Sequence, residues 1–464
     1  MVRLISLACV GFATAANAQE PEKPYAGHKQ VRLPMATRAV MEAIEPLSPD
    51  IWTHSIVPLR PVDMRLSPEQ YERFLETGLA HHVVVDDLQA LVDSELARIA
   101  ERSRLDEVGW YEEYRTLEEY WERWREIVGL NPSVATLETI GQSLEGRDMP
   151  SIVLNGDGRE GKPVFIINAC QHAREWVSPA ATTYVIEQLV IGYGSDARIT
   201  RLLDELEWVF LPMVNPDGFD FTWTDQRFWR KNKRLVDARL FGVDLNRNWD
   251  YEWGGAGSSG SPSSGTYRGT APFSEPELEA FIDAIDRVRG RVVGHLDVHT
   301  FSQLVLSPWG YTTSSPANIA ELTELGDIFA RGVLDATGAR YEVGPASTTL
   351  YLLSGNATDW FHGALGAASW TIELRPMGPI SLPGFDPPPD QILPAGQELL
   401  EGTLRLAEEF VRHPADLDRD GVLTIFDFLR FQKLWVTQDP RGDVDKDGAF
   451  TAADFHAFHE IFRR

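Results

Sequence analysis

Short apolar runs alternate with amphipathic, helix-like segments along most of this chain. The five strongest runs are KPVFIINAC, WVFLPMVN, RVVGHLDVH, SQLVLSPW and AASWTIEL, and helical patterns separate them. A run that is apolar at nearly every position is typical of a strand covered on both faces of a sheet. We therefore predict a large α/β domain over residues 105–412. The Gly/Ser-rich segment 254–265 could be a linker, but apolar strands continue on both sides of it, which favours a surface loop inside the domain.

A smaller α/β unit precedes this domain, over residues 25–104. The strand-like segments HKQVRLPM, PVDMRLS and HHVVVDD alternate there with helical segments such as RAVMEAIEPL. Ser67, Pro68 and Gln70 mark the start of its second helix. A Ser and a Gln three residues apart form a capping box, and proline is favoured at the first helical position.

The first 18 residues have the pattern of a signal peptide. A single Arg3 precedes an apolar run from Leu4 to Ala15, and Ala16-Asn17-Ala18 is a small-x-small cleavage site. The alternative is an amphipathic first helix of the folded protein. We predict cleavage after Ala18 and a secreted protein. No other segment reaches the roughly 18 apolar residues that a membrane span needs.

The net charge limits the expected binding partners, and the cysteine content limits the disulfide bonds that can form. The formal net charge of the 464 residues is -26, so the protein repels phosphate backbones and anionic lipids, and nucleic acid is not an expected partner. Cys9 lies in the predicted signal peptide, which leaves Cys170 alone. The sequence therefore predicts no intramolecular disulfide.

Four ionisable side chains stand where predicted strands end. His172 and Glu175 follow FIINAC, His299 ends RVVGHLDVH, and Glu373 lies near the end of SWTIELR. Open α/β sheets place their sites at the carboxyl ends of strands. Two imidazoles and one carboxylate with an open fourth position suit a zinc ion that activates water, and a second carboxylate can act as base. Each residue alone could be a hydrogen-bonded strand-end group, but together they favour a zinc hydrolase.

Seven motifs, three of which contain these four residues, extend this pattern. HAREW, NPDGF, FWRKNKR, GVDLNRNW, LDVHTFSQLVLSPWGYTT, TTLYLLSGNATDW and TIELR occur in this order between residues 110 and 412. In these motifs the chain resembles the zinc metallocarboxypeptidases of the A/B group. The resemblance implies a mixed sheet flanked by helices, one catalytic zinc ion and hydrolysis of the C-terminal peptide bond of peptides or proteins.

The resemblance also implies a role for each matching residue. Zinc would be bound by His172, Glu175 and His299, with Glu373 as general base and Arg230 stabilising the tetrahedral oxyanion. The substrate would be held by Asn246, Arg247, Arg174 and the mobile Tyr351. The specificity pocket would be lined by Leu306, Gly310, Ala346, Ser347, Leu353, Thr358 and Thr371. None of the lining residues is charged, and relatives that prefer Lys or Arg carry an acid at the position of Thr358, so we expect a preference for uncharged, apolar or aromatic C-terminal residues.

The N-terminal unit is similar to the propeptide of the same family, through YAGHKQVRL, VDMRLSPEQYERF and HHVVVDDLQ. The resemblance implies a ferredoxin-like α/β unit that covers the active-site cleft until a trypsin-like protease removes it. Arg98, Arg102 and Arg104 offer cleavage points. The alternative is an accessory domain that stays attached.

The tail, residues 415–464, is an internal repeat whose two copies begin at Asp416 and Asp443. Each copy has the spacing of a calcium loop around a glycine, with oxygen ligands from Asp416, Asp418, Asp420, Thr424 and Asp427, and from Asp443, Asp445, Asp447, Thr451 and Asp454. An apolar helix follows each loop, and this small helical module resembles a dockerin. The resemblance implies two calcium ions and a cohesin-like anchoring receptor, whereas the alternative is a calcium-stabilised end domain that binds no protein.

The sequence as a whole predicts a secreted zinc carboxypeptidase proenzyme with a calcium-binding tail. A non-catalytic binding protein of this fold is one alternative, although the presence of Glu373 disfavours it. A hydrolase of cell-wall or side-chain-linked peptides is another, and the pair Asn246 and Arg247 disfavours that one because it suits an ordinary α-carboxylate.

Overall fold

The computed structural model describes residues 23–53, 61–102, 109–377, 384–418, 422–445 and 447–463. The predicted signal peptide, Arg104 and Asp420 lie outside these residues. Within the described parts, no helix combines the length and the apolar character needed to cross a membrane.

The N-terminal unit is a four-stranded antiparallel sheet with two helices on it. Its elements are β1 (Lys29–Leu33), α1 (Arg38–Ile44), β2 (Asp50–Ile51), β3 (Val62–Leu66), α2 (Pro68–Leu75) and β4 (His82–Val85). The strand order β2-β3-β1-β4 is that of a ferredoxin-like unit, as predicted. Ser67 caps α2, and the capping box with Gln70 is present. A long helix, α3 (Leu88–Arg102), leads from this unit toward the next.

The large domain is built on an eight-stranded mixed sheet. Its strands are β5 (Ala135–Gln142), β6 (Asp148–Leu154), β7 (Val164–Ala169), β8 (Glu207–Leu211), β11 (Val292–Thr300), β12 (Leu304–Ser307), β13 (Glu342–Pro345) and β14 (Ala368–Leu374), and a separate two-stranded hairpin pairs β9 (Leu235–Val236) with β10 (Arg239–Leu240). The order is β13-β12-β14-β11-β7-β8-β6-β5, and β8, β7, β11 and β14 run parallel at the centre.

Helices cover both faces of this sheet. They are α4 (Leu117–Leu130), α5 (Val177–Gly192), α6 (Ala197–Glu205), α7 (Pro216–Thr224), α8 (Pro276–Asp286), α9 (Ile319–Thr337), α10 (Ala346–Thr349), α11 (Ala357–Leu365) and α12 (Ile392–Val411). Strand β7 explains the continuous apolar pattern, because Phe165 and Ile167 enter the core under α5 and α12 while Val164 and Ile166 enter the core under α8 and α11. Successive strand residues point to opposite faces, so a strand covered on both sides is apolar throughout.

The Gly/Ser-rich segment is a loop attached to the large domain. The ammonium group of Lys231 donates hydrogen bonds to the carbonyl oxygens of Pro262 (3.0 Å) and Ser264 (2.7 Å), and Ser259 forms a bridge with Tyr267. The only cysteine in the described residues, Cys170, is buried and unpaired, so the loop is held by hydrogen bonds.

The tail packs two helices, α13 (Ile425–Val436) and α14 (Ala452–Phe462), around a small aromatic core. The rings of Phe431 and Phe458 stack with centroids 4.3 Å apart. Thr424 and Thr451 cap the two helices, each in a capping box with the aspartate three residues on. The sequence repeat is therefore also a structural repeat.

Candidate zinc site and substrate pocket

The four predicted catalytic side chains converge at the carboxyl edge of the central strands. His172 and Glu175 lie in the turn between β7 and α5, a helix that begins at Val177. His299 lies near the end of β11 and is paired in register with Glu373 on β14. All four are buried. The parallel order of β7, β11 and β14 brings together residues that are about 200 positions apart in the sequence.

His172, Glu175 and His299 form a compact group of metal-binding atoms. One ligand atom from each lies within 4.8 Å of the others. The two carboxylate oxygens of Glu175 lie 2.9 Å from Nδ1 of His172 and 2.9 Å from Nδ1 of His299. Three converging N and O donors at a buried site suit zinc with a further position left open.

The far side of each imidazole faces a second carboxylate, and sequence reasoning did not find either of them. Nε2 of His172 lies 3.2 Å from Asp244, and Nε2 of His299 lies 2.8 Å from Asp297. An aspartate that accepts a hydrogen bond from the Nε2–H group keeps the lone pair of Nδ1 free for a metal ion. The residues present therefore fit a zinc ion, and each imidazole has a carboxylate next to its Nε2 atom.

Glu175 and Glu373 have opposite electrostatic environments. Burial alone would raise the pKa of Glu175, but the two neighbouring imidazoles hold it well below its usual range. Burial raises the pKa of Glu373 to about 8, and the charge of Glu175 adds to this effect. The Oε2 atom of Glu373 is buried without a hydrogen-bond partner. A carboxylate with raised pKa and a free oxygen is suited to proton transfer.

Arg230 lies next to the metal-binding group. Its guanidinium donates to Asp244 at 3.0 Å and lies 3.8 Å from Glu175. A single carboxylate, Asp244, therefore contacts both His172 and Arg230 and holds them side by side.

Asn246, Arg247 and Tyr351 form a second polar group in the same cavity. Arg247 donates from Nη1 to the carbonyl of Asn246 (2.7 Å), from Nε to the carbonyl of Gly257 (2.9 Å) and from Nη2 to the hydroxyl of Tyr351 (3.0 Å). Asn246 and Arg247 lie in a 3-10 turn, Leu245–Arg247, between the hairpin and the Gly/Ser-rich loop. The backbone contacts orient the guanidinium, and its Nη2 faces the cavity.

The predicted pocket residues divide into lining and supporting groups. Leu306, Ala346, Leu353 and Thr371 line the cavity, and the lining also includes Leu350, which the sequence comparison did not single out. Thr358 is fully buried and shares a 2.7 Å hydrogen bond with the hydroxyl of Thr371. The cavity is small, with about 20 Å³ of free volume. The hydroxyls of Thr358 and Thr371 pair with each other, and neither of these two groups carries a charge.

Two parts of the chain match known protein families. Residues 120–402 match the model of the zinc carboxypeptidase family, and residues 38–95 match the carboxypeptidase activation peptide. The chain belongs to the zinc carboxypeptidase family. It is a carboxypeptidase A-type proenzyme with an N-terminal activation peptide.

Individual relatives cover nearly the whole chain. Metallocarboxypeptidase A of Trichophyton equinum is 33% identical over 425 residues, 89% of this chain and all of that protein. Carboxypeptidase A2 of Rattus norvegicus is 34% identical over 381 residues, 81% of this chain and 90% of that protein. Among solved structures, the carboxypeptidase A of Helicoverpa armigera superimposes with a TM-score of 0.75 at 29% identity, covering 84% of this chain and 98% of that one.

The activation peptide lies over the entrance of the site. A cavity of about 410 Å³ separates its residues Pro49 and Asp50 from Arg230 and Tyr351. The carboxylate of Asp50 lies 3.6 Å from the guanidinium of Arg174, which is buried and stacked 3.9 Å over the ring of Phe385. Arg174, predicted to bind substrate, thus faces a carboxylate of the activation peptide.

A second ion pair joins the two units. Glu95 on α3 accepts a 2.8 Å hydrogen bond from Nε of Arg227, and both side chains are buried. Arg227 also lies 3.5 Å over the ring of Trp176. Nothing in the motif comparison pointed to this pair, because its partners are 132 residues apart.

In the tail, the predicted calcium ligands cluster in part. The structure brings together Asp416, Asp418 and Asp427 in the first loop and Asp443, Asp445 and Asp447 in the second. Asp454 instead accepts backbone hydrogen bonds from Val444 and Thr451. Thr424 and Thr451 serve as helix caps.

Proposed function

We propose that this protein is an exported proenzyme whose activated form removes uncharged residues from the C-terminus of peptides. The observation that carries the proposal is one cavity lined by His172, His299, Glu373 and Arg230, with the carboxylate of Glu175 2.9 Å from both imidazoles. Such a cavity offers a site for a metal ion, a base and a receptor for a carboxylate. These groups lie close enough together to act on one bound peptide.

The reaction divides among the residues of the cavity. A zinc ion bound by His172, Glu175 and His299 would supply a Lewis acid for the scissile carbonyl and the attacking water. Glu373 takes a proton from the attacking water and passes it to the leaving amine. Arg230 faces the oxyanion that forms, and its partner Asp244 holds it in place.

Recognition of a free C-terminus is assigned to Asn246, Arg247 and Tyr351. A guanidinium offers a planar pair of donors that matches a carboxylate, and Nη2 of Arg247 is the donor that faces Tyr351 and the cavity. Binding of a substrate carboxylate would replace the 3.0 Å contact between them. These three residues form a carboxylate clamp, which limits cleavage to the last peptide bond.

The preference for uncharged residues follows from the pocket floor. At the pocket floor a buried Lys or Glu side chain would meet leucine and alanine side chains and the uncharged Thr358–Thr371 hydroxyl pair, and a buried charge without a partner is costly. Apolar side chains gain by leaving water.

Activation is assigned to cleavage at the end of α3. Arg98 and Arg102 lie on this helix and form ion pairs with Glu113 (2.6 Å) and Glu112 (3.6 Å). We place the boundary between activation peptide (25–104) and catalytic domain (105–412) here. Export rests on residues 1–18, and mass spectrometry of the exported protein should find Gln19 at its N-terminus.

The test uses N-blocked dipeptides ending in Phe, Leu, Lys or Glu. Hydrolysis is measured before and after limited trypsin treatment, with and without a zinc chelator. We expect release of Phe and Leu only after trypsin, abolished by the chelator. A trypsin-treated, zinc-loaded protein that is silent on all four substrates would contradict the proposal.

The tail is proposed to bind two calcium ions. Support comes from the two aspartate clusters and from Oδ1 of Asp443, which is buried without a hydrogen-bond partner. Clustered carboxylates repel one another unless a cation neutralises them, and hard oxygen ligands suit calcium.

Docking to a cohesin-like surface receptor is proposed for the outer face of α13. Ile425, Phe426, Leu429 and Val436 are each more than half exposed there. The test measures calcium-dependent binding to a cell-surface extract, comparing Leu429→Asp with the matched control His456→Asp on α14. Equal binding by both variants would contradict this assignment.

A further inference from the structure

Asp297 is a fully buried carboxylate in the middle of β11, and four donors surround it. Its Oδ1 accepts from the amides of Asn168 (2.7 Å) and Gln171 (2.8 Å). Its Oδ2 accepts from Nε2 of His299 (2.8 Å) and from the amide of Asn246 (3.0 Å). A buried carboxylate is costly unless both of its oxygens are satisfied, and here each oxygen has two partners.

The four donors come from four parts of the chain. Asn168 lies on β7, Gln171 lies directly before the metal-binding turn, Asn246 lies in the 3-10 turn, and His299 lies two residues further along β11. Asp297 and His299 point to the same face of the sheet because they are two residues apart on one strand. One side chain thus joins the predicted metal group to the predicted carboxylate clamp.

The orientation of the Asn246 amide is fixed from both ends. Its oxygen accepts a 2.9 Å hydrogen bond from the backbone of Ala357, so its NH₂ group must point toward Oδ2 of Asp297. The same amide nitrogen lies 3.0 Å from Oδ2 of Asp297 and 3.0 Å from Nε2 of His299, so Asp297 fixes it beside the predicted metal group. Without Asp297 the amide would lose this constraint.

We propose that Asp297 is a positioning residue that sets two groups at once: the Nδ1-binding tautomer of His299 toward zinc, and the direction of the Asn246 amide toward the terminal carboxylate of the substrate. This inference rests on the proposed function and deepens it. Asp244 orients His172 and Arg230, whereas Asp297 orients the other histidine together with the clamp. The two carboxylates therefore have separate duties.

The principal test is Asp297→Asn, with Ser369→Ala as matched control. Asparagine keeps the shape, but it has only one acceptor oxygen and cannot serve the donors on both sides. Ser369 is equally buried and belongs to the far end of the same network, where its hydroxyl lies 2.8 Å from Nδ1 of His295. It contacts neither His299 nor Asn246 in the described hydrogen bonds.

Two readouts are expected to change in Asp297→Asn. Zinc affinity, measured by competition with a chromophoric chelator, should fall about 10- to 100-fold, as for other residues that orient a metal-binding histidine. KM for the blocked Phe dipeptide should rise at least about 10-fold, while Ser369→Ala stays within about threefold in both. Zinc affinity and KM both within threefold of the unmodified enzyme would overturn the proposal.

A double-mutant cycle separates the clamp from general damage. If Asp297 acts on the substrate through Asn246, then Asp297→Asn should raise KM little further in an Asn246→Ala background, although it still weakens zinc binding. An equal KM effect in both backgrounds would overturn the coupling.

The zinc readout needs no activity, so it separates this inference from the proposed function. If the unmodified, activated enzyme hydrolysed none of the peptides, the proposed function would be contradicted. The comparison of zinc affinities would still test the role of Asp297. If Asp297→Asn does not fold, the cobalt-substituted unmodified protein supplies the measurement. An Nε2 hydrogen of His299 that exchanges slowly with solvent supports the contact, and a fast-exchanging one contradicts it.

Discussion

At the scale of single residues, the site is controlled by which carboxylates are paired and which are free. Glu175 lies between two imidazoles, Asp244 and Asp297 each accept hydrogen bonds from an imidazole, and only Glu373 keeps a buried oxygen without a partner. In the proposed reaction the same chemical group would therefore act as ligand, as orienting acceptor and as base, according to its neighbours.

Glu373→Gln tests the base directly. The amide has the same shape but cannot take a proton, so we expect kcat to fall by about 10²- to 10⁴-fold, the range usual for a positioned acid or base. Metal analysis should find the zinc content unchanged, since Glu373 is not among the three ligands. A kcat within tenfold of the unmodified enzyme would show that another group is the base.

Thr358→Asp tests the pocket floor. A carboxylate there would lie beside the hydroxyl of Thr371 and would pair with a cationic side chain in the pocket, so kcat/KM should rise for dipeptides ending in Arg and fall for those ending in Phe. Thr358→Asn is the control, because it has a similar shape without charge. A gain for Arg in the control as well would mean that pocket size, and not charge, sets the preference.

At the scale of elements, the N-terminus of α8 anchors the loop that carries Arg230. The amide of Asn232 donates to Glu275 (2.7 Å) and Glu277 (3.2 Å), while its oxygen accepts from the backbone of Val243 (2.7 Å). Burial, together with the charge of Glu275, raises the pKa of Glu277 to about 7. Two carboxyl groups that accept from the same amide repel each other less when one of them is protonated.

This anchor predicts a dependence of stability on pH. The folded pKa of Glu277 is raised from 4.5 to about 7, so the folded state holds a proton that the unfolded state has already released. The stabilisation is present below pH 4.5 and is lost as pH rises through 7, by up to about 3 kcal/mol. In calorimetry at pH 4.5, 6 and 8, Glu277→Gln should remove this part of the slope of Tm. The exposed Glu279→Gln on the same helix should leave the slope unchanged.

At the scale of the whole molecule, the activation peptide and the catalytic domain share a polar and aromatic interface. Two carboxylates of the activation peptide, Asp50 and Glu95, face two arginines of the catalytic domain, Arg174 and Arg227. Trp52 packs between Phe228 and Phe385 in the same interface. These contacts hold the activation peptide in place as a cover over the cleft.

Asp50→Asn should loosen this cover. It removes the charge that faces Arg174, so we expect the uncleaved chain to gain activity on the small blocked dipeptides by several-fold. Gels must show that the chain is intact during the assay. Asp93→Asn, an exposed carboxylate on α3, serves as control, and equal activation by both variants would contradict a specific role for Asp50.

The tail gives a second prediction at this scale. Calcium removal should lower the melting temperature of the tail without changing hydrolysis by the catalytic domain, because the clusters and the zinc site share no residue. Circular dichroism after EGTA treatment measures the first, and the dipeptide assay the second. An unchanged melt would contradict calcium binding in the loops.

The sequence by itself determined the elements and the chemical groups of this protein. The apolar period identified the buried strands, the capping box of Ser67 placed a helix start, and the motif order predicted the family that the comparisons then showed. These features depend on neighbouring residues or on the order of motifs along the chain, so they can be predicted from the sequence alone.

Only the tertiary structure decided which carboxylate serves which partner. Asp297 and Asn246 are 51 residues apart and Glu95 and Arg227 are 132 apart, and no spacing along the chain indicates either contact. The parallel sheet brings strand ends together and the folding of the N-terminal unit sets its face against the cleft. Partners, distances and free oxygens depend on those placements, because hydrogen bonds act over a few ångströms and the chain alone does not fix which groups meet.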